Sequence, residues 1–159
     1  MSGYRPLTEG GSKNRYSVRE HIEERFAFLA DESGFAVRDA SVAHEFAIVY
    51  KRDNIALGVI LEMPDTPFVS WQIFDGKRLV RRVLWRLGSS ACGGAVRKWE
   101  EYRDNAPVDD WIRAIQTGEH AELLDRILAC YADSVRADLP KALDGRMFAG
   151  LRRDQSVKI

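Results

Sequence analysis

At 159 residues, 45% hydrophobic and 30% charged, the chain has the size and composition of one folded domain, which excludes global disorder. Lysine plus arginine and aspartate plus glutamate both number 24, so no overall charge bias marks it for nucleic acid or for a basic partner. No stretch approaches the ~18 apolar residues of a membrane span.

Residues 1–14 are rich in glycine, serine and charge and read as a flexible arm. Ser17-Val18-Arg19-Glu20 has the form of a capping box, and Val18, Ile22, Phe26 and Leu29 follow at helical spacing. Gly34 is a natural helix stop, with Phe35 placed to fold back on the last turn. The period then changes to two. Phe46, Ile48 and Tyr50 mark one strand, Ile55, Leu57, Val59, Leu61 and Met63 a second, and Val69, Trp71 and Ile73 a third. Turns are expected at Arg52-Asp53-Asn54, Pro64-Asp65-Thr66-Pro67 and Asp75-Gly76, and short links of this kind favour an antiparallel meander. Residues 35–42 can add an edge strand.

The second half reads as helical. Leu79, Val80, Val83, Leu84 and Leu87 fit one helix, interrupted by the stretch from Gly88 to Gly94. A short helix is expected from Val96 to Tyr102, another around Val108, Trp111, Ile112 and Ile115, and the longest along Leu124, Ile127, Leu128, Tyr131 and Val135, stopped by Pro140. The expected fold class is therefore α+β: an N-terminal helix, a three- to four-stranded antiparallel meander and a helical C-terminal half. It occupies residues 15–150 as a single domain, with 151–159 as a frayed tail.

The familiar chemistries fail at nameable positions. His21, His44 and His120 sit on different elements, and His44-Glu45 lacks the second histidine of a zinc-binding H-E-x-x-H. His21 and His120 read as solvated helix residues, and no metal or cofactor is expected. Gly88-Ser89-Ser90 is not a nucleophile elbow, and Gly93 is followed by Gly94-Ala95 where a phosphate loop needs Lys-Ser or Lys-Thr. The two cysteines, Cys92 and Cys130, match no metal spacing; they could form a disulfide pair, but nothing else points to secretion, so free thiols are the favoured reading, with Cys130 a small buried hydrophobe. Cys92, in a glycine-rich stretch near Arg97 and Lys98, is the residue an enzymatic alternative would use.

Charge is unevenly spread. From Asp75 to Lys98 there are seven cations and one acid, giving +6. From Trp99 to Asp125 there are eight acids and two arginines, giving −6. The simpler cause is internal, with the basic helix packed beside the acidic ones. The functional alternative is a docking patch for a partner of opposite sign, made of Lys77, Arg78, Arg81, Arg82, Trp85 and Arg86. The same basic helix, 77–86, could serve a nucleic-acid-binding module, but the acidic segment would repel phosphates.

Two passages, Phe26-Ala27-Phe28-Leu29-Ala30-Asp31-Glu32-Ser33-Gly34-Phe35 and Tyr131-Ala132 through Leu139-Pro140-Lys141-Ala142-Leu143-Asp144-Gly145, carry a resemblance. Their helix-to-meander and closing-helix pattern resembles small bacterial immunity proteins of polymorphic toxin systems. The resemblance implies a non-enzymatic protein that neutralises a cognate toxin by occluding its active site, and it transfers no binding residue. Without an apolar signal at the N-terminus, the expected location is the cytoplasm.

Overall fold

The structure of the chain is a computed structural model that describes residues 6–7, 15–16, 18–42, 45–62, 65–105, 107, 121–146 and 154–158. Strands β1 (Pro6–Leu7) and β2 (Arg15–Tyr16) pair as a small antiparallel ribbon. Helices α1 (Val18–Arg25) and α2 (Ala27–Asp31) follow, and then β3 (Ala36–Asp39), β4 (Glu45–Arg52), β5 (Ile55–Glu62), β6 (Phe68–Asp75) and β7 (Arg78–Arg86). Helices α3 (Ala91–Asn105) and α4 (Ala121–Leu143) precede the last strand, β8 (Asp154–Lys158). The fold class is α+β, as the sequence implies.

Six strands form one sheet in sequential order, antiparallel from β3 to β7, with β8 parallel to β7. The expected meander and the edge strand are thus present, and three expectations change. The stretch expected as a basic helix is strand β7. Ile73 and Phe74 pair with Arg81 and Leu79, so the register skips Val80. That bulge resets the two-residue alternation, and the resulting Leu79-Val80…Val83-Leu84 spacing imitates a helix. Residues 154–158, expected to fray, form the sixth strand. Pro140 lies inside α4 rather than ending it. Proline removes only the bond to Arg136, whose neighbourhood is exposed and can be solvated.

The N-terminal helix breaks at Phe26 into α1 and α2. Gly34 has φ +72°, as a left-handed stop requires, and the Phe35 N–H donates to the Leu29 carbonyl at 3.0 Å. Ser17 and the expected helix around Trp111 lie outside the described residues.

Register assigns the sheet two different faces. Tyr50, Leu57, Trp71 and Val83 form one cross-strand row, and Ile48, Val59, Val69 and Trp85 the next. All are buried, and all belong to the core. Every buried apolar side chain of α1 to α4 joins the same core, so the described helices cover this face only. The other face carries Ala47, Val49, Lys51, Ala56, Gly58, Ile60, Phe68, Ser70, Gln72, Arg82, Leu84 and Arg86. Among the described residues, the nearest atoms to a Cβ placed on Gly58 belong to Ile60 and Ser70, both of the sheet itself, at 3.5 to 4.0 Å.

Candidate functional site

Among the described residues, three places hold groups with chemical potential: a polar cluster between α1 and α4, the cysteine pair, and the cations of the sheet. The first begins with helical spacing. His21 and Arg25 stand four residues apart on α1 and face the same way, toward Asp125 on α4. His21 Nε2 lies 2.6 Å from Asp125 Oδ1. Arg25 grips the same carboxylate with two donors, Nε to Oδ1 and Nη2 to Oδ2, both at 2.6 Å.

Burial sets the protonation states. Desolvation pushes His21 below its ordinary value, although the Asp125 carboxylate works against it. Desolvation also pushes Asp125 up, but the hydrogen bonds from Arg25 and His21, with the Arg25 charge, outweigh it and hold the carboxyl below its usual range. The cluster is therefore a neutral imidazole beside an ion pair. A His–Asp pair can act as a general base, but only where a substrate reaches the ring. The His21 side chain is 1% exposed, so the cluster works as a clamp between two helices. His21 was expected to be solvated. Its position one residue from Ile22 of the apolar stripe turns it toward α4 instead. His44 and His120 lie outside the described residues.

The second place corrects the reading of the cysteines. Cys92 and Cys130 are disulfide-bonded, with Cα atoms 6.2 Å apart, and neither is fully buried. Cys92, Gly93 and Gly94 take φ values of 61°, 66° and 89°, a left-handed turn that precedes the right-handed helix starting at Ala95. Glycine adopts this freely, but at Cys92 it strains an L-residue. In this form Cys92 has no thiolate, so the nucleophile of the enzymatic alternative is missing. A disulfide persists in oxidising compartments and is rare in the cytosol.

The third place is the basic segment. Lys77 and Arg78 are exposed at the β6–β7 turn, while Arg81 and Arg82 are half-buried. Arg82 and Arg86 share the face away from the helices, and Arg81 and Trp85 share the other. Trp85 is core, so it anchors no partner without unfolding. The six residues expected as one docking patch are therefore divided between two faces and a turn. Because the segment is a strand, the helix on which a nucleic-acid reading rested is absent. Asp125, counted in the acidic segment, pairs with α1 rather than with the basic segment.

No protein-family model, curated protein or solved structure matches this chain.

Two cations on the face away from the helices are held in place. The Arg86 guanidinium lies 4.3 Å from the centre of the Phe68 ring, and Lys51 Nζ lies 5.2 Å from that of Phe74. Both side chains remain exposed, so each charge is oriented yet still available. Neither Lys51 nor Phe74 carries a signal in the sequence, where a lysine near the end of a strand looks like any solvated residue. Among the described residues no helix is long and apolar enough to cross a membrane.

Proposed function

We propose that this chain is a non-enzymatic protein-binding module of the immunity-protein kind, which neutralises a bacterial toxin by covering its active site. The observation that carries the proposal is the display of oriented cations on a stiff sheet. Lys77, Arg78 and Arg86 are exposed along β7 and its turn, and Arg86 is braced on Phe68. A rigid surface loses little freedom on binding, and fixed cations select an acidic partner and speed its approach.

The reading uses part of the expected patch and drops Trp85. A cytoplasmic location belongs to the same proposal, and the Cys92–Cys130 bond runs against it. Counting free thiols in protein taken directly from the cell tests that part. For the function itself, the chain is co-expressed with the product of a neighbouring toxin-like gene. A complex that weakens when Lys77, Arg78 and Arg86 are changed together to glutamate supports the reading. Absence of any complex at micromolar concentration overturns it.

A further inference from the structure

The strand β3 closes one side of the sheet, and the phase of its hydrogen bonds can be read. The Ala40 N–H donates to the Ala47 carbonyl at 2.7 Å. Bonded and non-bonded pairs alternate along an antiparallel ladder. Counting back along the register, Arg38–Val49 and Ala36–Lys51 are bonded pairs, whereas Val37–Tyr50 and Asp39–Ile48 are not. The backbone N–H and C=O of Val37 and Asp39 therefore point outward from the sheet.

The side chains on this edge are open as well. Val37 is 46% exposed and Val42 61%, two of the four exposed large hydrophobics among the described residues. Natural edge strands are usually guarded by charge or covered. Of the two charges here, Asp39 is engaged at home. It accepts from the Ser41 N–H at 2.8 Å and lies 3.5 Å from Arg19, and the Ser41 bonds hold its carboxyl below the usual range. Arg38 is exposed, and none of the ion pairs formed among the described residues includes it.

Arg38 also decides what can dock. If a second copy paired through Val37 and Asp39, the register would set Arg38 directly across from its own counterpart. That is a close, non-bonded position, with Cα atoms about 4.5 Å apart, where like charges repel. An incoming strand with an acid at that position meets the opposite condition. Arg38 lies on the face that also carries Lys51, Arg82 and Arg86, so an acid on the added strand borders a basic surface.

We propose that the outer edge of β3 receives an extended segment of a protein partner by strand addition, with an acidic residue across from Arg38 and a β-branched one across from Val37. Main-chain bonds to Val37 and Asp39 supply the attachment, and the two side-chain positions supply the selectivity. The inference rests on the protein-binding reading and adds to the β7 cations a second contact, at the other side of the sheet.

The test is a titration of the isotopically labelled full chain, followed by amide NMR, with two short synthetic peptides. One alternates valine with glutamate and the other valine with lysine. The expected result is that signals of residues 36–42 shift, with the glutamate peptide about two- to five-fold tighter, the range of one exposed ion pair. Arg38→Glu reverses the preference. Val37→Pro removes an outward N–H that the ladder does not use and abolishes the shifts; Val37→Lys, which keeps the backbone, weakens them and serves if the proline variant does not fold. Unshifted signals for 36–42, equal affinity for both peptides, or self-association of the wild-type chain through β3 would each overturn the inference. A toxin that binds while β3 stays silent removes this surface and leaves the binding reading standing. No binding by either removes both.

Discussion

Breaking the Cys92–Cys130 bond is expected to lower stability substantially, and the structure sets the size of the effect. The bond spans a sequence separation of 38 and encloses all the regular part of α3. In the chain-entropy treatment, closing a loop of that length removes about 13 cal/mol/K from the unfolded chain, or about 4 kcal/mol at room temperature. With an unfolding entropy of ~2 cal/mol/K per residue, that corresponds to a fall in Tm of about 12 °C. Cys130→Ser should show the full loss in thermal and urea unfolding. Cys92→Gly breaks the same bond but also relieves a left-handed L-residue, at φ 61°, so it should be less destabilised by about 1 kcal/mol. Equal Tm values for the oxidised and reduced wild type, or two titratable thiols in the untreated protein, would refute the reasoning.

Other outcomes follow from the core. Asp125→Ala leaves His21 and Arg25 without their shared carboxylate and should destabilise by about 2–3 kcal/mol, below the usual figure for a buried pair because the Arg25 side chain is 34% exposed. Acid should also destabilise the fold. His21 stays neutral when folded while the unfolded imidazole takes a proton near pH ~6.5, so stability falls as pH drops below that value. The Asp125 contribution is present above the ordinary carboxylate range and is lost as pH falls through its lowered folded value. His21→Gln should flatten the first part of this profile in urea titrations between neutral and mildly acidic pH. The Tyr131 hydroxyl donates to the Pro67 carbonyl at 2.6 Å and accepts from the Leu87 N–H at 2.9 Å, so Tyr131→Phe should lose about 1–3 kcal/mol by unfolding. The Tyr50 hydroxyl is buried with no hydrogen-bond partner among the described residues, so Tyr50→Phe should be neutral or stabilising by about 1 kcal/mol in the same assay.

Much of the sheet was legible because its signals are local. Alternation along Phe46–Tyr50 and Ile55–Leu61, with turn residues between, fixes both the strands and their pairing. The left-handed Gly34 and the return of Phe35 to the core were equally local. β7 was hidden by its bulge, since one extra residue at Val80 breaks the only pattern that distinguishes a strand. The polar clamp was hidden for another reason. His21, Arg25 and Asp125 each flank an apolar stripe, and that placement suits a solvated residue as well as a buried one. Only the meeting of α1 with α4, 100 residues apart in sequence at Arg25 and Asp125, separates the two cases. The disulfide depends on the same long-range approach. Trp85 looked like an interface anchor because the helical reading put it beside the apolar stripe; the strand places it inward, two residues from Val83.

The central claim is that the chain acts by binding a protein surface through its exposed cations. Calorimetric titration of the purified chain into the product of a neighbouring toxin-like gene, paired with an assay of that product's activity, tests it most directly. The expected result is a one-to-one complex, loss of the partner's activity in proportion to complex formed, and weaker binding after Arg86→Glu. No heat of binding at micromolar concentration, or a complex that leaves the partner fully active, would contradict it.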